Sequence, residues 1–284
     1  MAAFHVYADA HGVTTRLEVR HITTDDVFDA LRRGLEDFRE KPSHYAFVGL
    51  IYPIMGFVLI TWSSGGNAVE LIYPLITGFA LLGPLAAIGL YEISRRREYG
   101  LDTSWRHAFD VRFSPALPSI LAVAFILLAL FLAWVMTAQA IHASLYGDAG
   151  PGTLGGFVAD VLSTERGWML ILVGNAVGFV FALVVLLTVI ALPLLLDRDV
   201  GAYSALETSA RAVLSNPGPM LLWGVIVAAC LAIGSLPLLA GLIVVVPILG
   251  HATWHLYRKL VEAPDASLRQ LPVAPKPGDA QPAT

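Results

Sequence analysis

Charge is what this sequence has least of. Only 14% of its 284 residues are Asp, Glu, Lys or Arg, against about 25% in soluble globular chains. Hydrophobic residues make up 56% and the mean hydropathy is +0.69, a balance that excludes an ordinary soluble domain and points to a membrane class. The net charge of −4 supplies no basic excess, so no nucleic-acid partner is expected. The single cysteine, Cys230, lies in an apolar stretch; it excludes an intramolecular disulfide and reads as a small core hydrophobe. Equally absent are a phosphate-binding glycine loop, a CxxC pair, an HExxH motif and a GxSxG elbow, so nothing points to an enzyme, a metal or a cofactor. No N-terminal signal peptide is expected either. Residues 1–20 carry Asp9, Arg16 and Glu18 without an apolar run, and insertion is expected through the first internal apolar segment.

What is present is a series of long apolar runs. A spanning helix needs about 20 apolar residues to cross a hydrocarbon core of about 30 Å. Runs of that kind occupy residues 45–62, 69–91, 117–146, 167–196, 220–236 and 238–257. The expected fold is therefore all-α: a polytopic membrane bundle of six transmembrane helices arranged as three hairpins. The last two runs are short and meet at Gly234-Ser235-Leu236-Pro237, a turn signal. A single bent apolar hairpin that never crosses competes with two spans there.

All of the 18 Lys and Arg except Arg166 fall in the N-terminal arm, the loop around residues 95–112, the loop around 198–211, or the C-terminal arm. Basic residues in short loops stay on the cytoplasmic side during insertion, which places both termini inside, as in a bacterial-type inner membrane. Trp62, Tyr146, Trp168, Trp254 and Tyr257 stand near span ends, where interfacial aromatics belong.

Three segments before spans share a grammar: an amphipathic stretch, a proline, then an apolar run. Val27, Leu31, Leu35 and Phe38 precede Lys41-Pro42; Trp105, Ala108 and Phe109 precede Ser114-Pro115; Leu206, Ala210, Val213 and Leu214 precede Asn216-Pro217. Helical spacing followed by proline predicts an amphipathic cytoplasmic helix leading into each hairpin. Thr23 and Thr24 ahead of Asp25 and Asp26 predict a capped start for the first. The chain divides into an N-terminal cytoplasmic segment at residues 1–22, a membrane domain at 23–260, and a Pro-, Ala- and Asp-rich tail at 261–284 that reads as disordered.

Ionisable and amide groups in or beside spans are the candidate polar positions. His251 and His255 stand at i, i+4 on one face of the last span. The sharp reading is a metal, haem or proton-linked pair. The bland one, which we prefer, is interfacial anchoring with a hydrogen bond to a neighbouring helix. Asn175 lies inside Gly174-Asn175-Ala176-Val177-Gly178, a small-xxx-small pattern, and reads as an interhelical hydrogen bond before substrate binding. Glu92 adjoins Arg95, Arg96 and Arg97 and reads as solvated or paired. Asp197, Arg198 and Asp199 close the fourth run, with Arg198 expected to pair its neighbours. Glu70 and His142 sit at the other boundary.

The runs Leu82-Gly83-Pro84, Tyr91-Glu92-Ile93-Ser94-Arg95-Arg96-Arg97-Glu98, Leu192-Pro193-Leu194-Leu195-Leu196-Asp197-Arg198-Asp199-Val200-Gly201 and Leu249-Gly250-His251-Ala252-Thr253-Trp254-His255-Leu256-Tyr257-Arg258 together resemble bacterial integral membrane proteins of domain-of-unknown-function family 2189. The resemblance implies a polytopic inner-membrane protein with no established activity. Family members are sometimes labelled cytochrome c oxidase subunit I, but six spans and two clustered histidines do not supply that enzyme's haems and copper. Two function classes remain: a non-catalytic scaffold or assembly partner of other membrane proteins, and a small transporter or lipid-handling protein. A haem-binding redox subunit is a distant third. The lipid bilayer is the one partner the composition requires.

Overall fold

The computed structural model describes residues 17–40, 82–147, 153–237 and 239–262, together with 74, 75, 77 and 78. The expected span at 45–62, the Lys41-Pro42 junction, Glu70, Trp62 and most of the C-terminal tail lie outside the described residues.

Helix α1, Thr24–Glu40, opens with a reciprocal cap. The Asp26 carboxylate accepts from the Thr23 N–H at 2.9 Å, and the Thr23 hydroxyl accepts from the Asp26 N–H at 3.4 Å, satisfying two amides of the first turn. The buried stripe of α1 is Val27, Ala30, Gly34 and Asp37. Three of these are small or short, so α1 lies close against the last helix: a Cβ on Gly34 would stand 2.5 Å from the Ala252 nitrogen.

Pro84 starts a single turn, α2 (Gly83–Ala86), which leads into α3 (Ile88–Glu98). Gly100, at φ 66°, ends that run because its left-handed backbone suits glycine. A 3-10 helix at Trp105–Phe113 then folds back, its Ala108 methyl 2.9 Å from where a Cβ on Gly89 would be. Helix α4, Leu117–Tyr146, has proline in its first turn and runs for 30 residues, about 45 Å of rise. Beyond it come α5 (Leu154–Ser163), capped by the Thr153 hydroxyl, and α6 (Glu165–Leu186), capped by the Thr164 hydroxyl.

The fourth apolar run is broken in its later part. Pro193 has no N–H to return to residue 189, and the chain turns at residues 187–190 before α7, Ala191–Asp197, as proline requires. The Ile190 N–H is recovered by the Ser209 hydroxyl at 3.1 Å, from α8, Ala202–Ser215. Asn216 then joins the next helix to the N-terminal arm. Its Oδ1 accepts from the Ile22 N–H at 2.8 Å, and its Nδ2 donates to the Arg20 and Ala212 carbonyls. Helix α9 is Pro217–Ser235 and α10 is Leu242–Leu260. Between them the backbone reverses so tightly that a Cβ on Gly241 would stand 2.7 Å from the Gly234 carbonyl. Leu231 packs on Leu242 and Val246, so α9 and α10 are two separate helices in contact. Val19 and Val261 bridge the two arms, and the Arg20 N–H donates to the Leu260 carbonyl at 2.8 Å.

Among the described residues three helices are long and apolar enough to cross a membrane: Leu117–Tyr146, Glu165–Asp197 (α6 with α7) and Pro217–Ser235. They present large apolar side chains outward, among them Phe125 and Met136 on α4, Leu172 and Phe179 on α6, and Val225 and Ile233 on α9. Such a surface needs hydrocarbon around it. The three amphipathic segments expected from the sequence are all helical, the middle one as 3-10. The expected interfacial role of Trp254 and Tyr257 is overturned. Both are fully buried, because they meet the charged face of α3 and α7.

Candidate functional site

The polar residues singled out in the sequence divide between two places. At the charged ends of α1, α3, α7 and α10 they form one buried layer. Glu92, without exposure, accepts from Arg95 at 2.8 and 3.0 Å and from Arg96 at 2.9 Å. Two arginines at i+3 and i+4 reach back along one helix face, so Glu92 is paired, as one of its two readings had it. Arg96 continues to Asp110 of the 3-10 helix at 2.9 Å.

Asp37 is the hub of the same layer. Its carboxylate accepts from Arg97 at 2.5 Å, from the Ser94 hydroxyl at 2.9 Å and from His255 Nε2 at 2.9 Å. His251 Nδ1 stands 2.7 Å from that Ser94 hydroxyl and 3.8 Å from Asp37. The two histidines thus meet α1 and α3, the neighbouring-helix contacts of the bland reading, His251 fully buried and His255 partly exposed. Burial pushes the Asp37 carboxyl up, but the hydrogen bond from His255 and the positive field of both imidazoles outweigh it and hold the group below the usual carboxylate range. Asp37 escaped the sequence reading because it sits among other acidic residues of α1. The signal was its place: it continues the stripe of Val27, Ala30 and Gly34, where a charge is expensive unless partnered.

Asp197 extends an expectation: Arg198 does pair with it, at 3.5 Å, but is not its nearest partner. The closer partners of Asp197 are Arg258, at 2.7 and 2.9 Å, and the Tyr257 hydroxyl, at 2.7 Å. Arg198 also donates to the Glu262 carbonyl. Asp199 is exposed. A doubly bonded guanidinium on α10 sits closer than the sequence neighbour because its planar fork matches the carboxylate. Arg258 also takes Glu98 at 2.9 Å, and Glu98 accepts from the Trp254 indole at 3.1 Å. Lys259 bonds Asp26 at 3.0 Å and Asp29 at 2.9 Å.

Asn175 stands apart, on the exposed side of α6, and donates to the Ile171 carbonyl at 2.8 Å, one turn back in its own helix. Only half of the glycine pair is a tight contact: a Cβ on Gly178 would meet the Trp134 ring at 3.0 Å, while one on Gly174 would meet nothing. Gly174 and Asn175 instead line a cavity of about 330 Å3 between α4, α5 and α6, with Trp134, His142, Phe157 and Val161. His142 stacks on Tyr146 at 4.8 Å, and Arg166 lies over the Tyr146 ring at 4.6 Å.

Among the described residues no group of three or more His, Cys, Asp or Glu could hold a metal ion. The arrangement joins helices and encloses an apolar cavity.

Apolar helices of spanning length, bare of polar cover and joined at one end by a buried ionic layer, define an integral membrane protein. The family profile described as predicted integral membrane protein (DUF2189) matches residues 72–197, and this is the family the sequence motifs resemble. The match takes in Glu92, Asn175 and Asp197 but not the α10 run with His251 and His255. No curated protein and no solved structure shows significant similarity to the chain.

Proposed function

We propose that the protein is a non-catalytic membrane scaffold, a rigid multi-helix platform on which other membrane proteins assemble. The observation that carries the reading is the buried layer itself. Its carboxylates at Asp37, Glu92 and Asp197 are bonded to cations or hydroxyls of the fold, and a carboxylate so engaged braces helices rather than binding a passing solute. A solute carrier, by contrast, places polar groups at the bilayer midplane around a route, and the cavity beside Asn175 is overwhelmingly apolar. That apolar cavity is the one feature favouring the alternative, a lipid-handling protein or small transporter.

The scaffold comprises six spans in an inner-type membrane, with both termini and the ionic layer on the cytoplasmic side, in keeping with the basic residues that flank that layer. Single cysteines at Gly66 and Pro151 in a Cys230→Ala background should react with an impermeant thiol reagent from outside, and one at Gly100 should not. For the scaffold role, affinity purification in mild detergent should recover a membrane protein in stoichiometric amount. Recovery of the chain alone from cross-linked membranes, with an uptake or efflux defect in a deletion strain, would overturn it in favour of transport.

A further inference from the structure

We infer that the cavity between α4, α5 and α6 is a phospholipid site that takes one acyl chain inside and holds the phosphate at Arg166. It goes beyond the scaffold reading and does not depend on it.

The cavity's shape carries the first half. Its volume of about 330 Å3 falls within the roughly 300–1,000 Å3 of small-molecule sites. It follows α4 from Trp134 to His142, about 12 Å of helix rise, so it is elongated along the helices, as a chain in a bilayer is. The Trp134 indole bounds it at the deeper end, donating to the Pro74 carbonyl at 2.9 Å. Apolar cavities of this kind stay dry and fill with apolar molecules. Around it Met169, Leu172 and Val173 are exposed, so the medium next to the cavity is hydrocarbon, and acyl chains are the apolar molecules at hand.

Charge carries the second half. Between residues 113 and 197 the chain has a single Lys or Arg, Arg166. It stands at the start of α6, just beyond the cavity, and joins it through the Arg166–Tyr146–His142 stack. One Arg166 nitrogen reaches Asp160 at 2.8 Å and the side chain is 47% exposed. A guanidinium carries five donors, which leaves it capacity for a phosphate beside the Asp160 bond. Apolar cavity and cation therefore stand side by side, as tail and phosphate do in one lipid: tail inward, phosphate at the membrane boundary.

The test is native mass spectrometry of the full chain in neutral detergent, titrated with phosphatidylglycerol and, separately, with diacylglycerol of the same chains. The wild type should carry one phosphatidylglycerol. Gly174→Leu, whose side chain enters open space, should abolish the adduct without lowering the melting temperature. Arg166→Gln should weaken phosphatidylglycerol about tenfold, the size of one charged hydrogen bond, and leave diacylglycerol unchanged. An undiminished adduct in Gly174→Leu overturns the site. If that variant does not fold, the other decides: equal phosphatidylglycerol binding by wild type and Arg166→Gln overturns the assignment. No partner protein enters the assay, so its failure leaves the scaffold untouched, and the reverse.

Discussion

The ionic layer and the apolar half of the bundle hold their helices together in opposite ways. In the layer, beside the local pairs of Glu92, the bonds that join helices run between residues far apart in sequence: Arg258 reaches Asp197 across 61 positions and His255 reaches Asp37 across 218. In the apolar half the polar side chains of α4, α5 and α6 mostly turn back onto their own helix, as Thr137 does onto Ala133, Ser163 onto Ala159 and Asn175 onto Ile171. Contact there is left to packing, such as Trp134 against Phe181 at 5.7 Å. The difference follows from the surroundings. Where the helices sit in hydrocarbon, association gains little from the hydrophobic effect and leans on close fit. Where charged groups are sequestered by protein, each must find a partner or be very costly.

This contrast can be broken most severely at Asp197. Replacing it with alanine leaves Arg258, 11% exposed, without its doubly bonded partner and the buried Tyr257 hydroxyl without an acceptor. A loss of about 3–5 kcal/mol is expected, seen as a large drop in melting temperature in detergent. Next comes Gly34→Leu, which drives a side chain into the Ala252 backbone and should cost about 1–3 kcal/mol as overpacking. Protease access to α1 should rise in that variant while α4 to α6 keep their protection.

Acid sharpens the comparison. The Asp37 carboxyl is held below its ordinary range in the fold, so its contribution is present above the usual aspartate value of about 3.9 and is lost as pH falls through the folded value. Melting temperature should fall with acidification in the wild type, and less steeply in Asp37→Asn. An identical slope in the two would remove Asp37 from the hub. The smallest effect belongs to Asn175→Leu. With an exposed side chain whose amide donates within its own helix, the change should stay within about 0.5 kcal/mol. A larger loss would mean that the apolar half, too, depends on polar contacts between helices.

The sequence by itself determined the membrane class, the helices and many of their ends. Apolar run length, the prolines at 84, 193 and 217, the cap at Thr23 and the arginines beside Glu92 are all local signals, read within one or two turns. It also flagged six of the residues that matter, Glu92, Asp197, Arg198, His251, His255 and Asn175, without telling what they touch. Only the tertiary structure decided that Asp197 bonds Arg258 more closely than Arg198, that Trp254 and Tyr257 are buried, that Asp37 is the hub, and that Gly174 opens on a cavity while Gly178 meets Trp134. The physical reason is range. Helical periodicity repeats every 3.6 residues and is written in neighbouring positions. A charge pair is chosen by which helices come side by side, and a planar guanidinium arriving from across the fold can sit closer than the sequence neighbour.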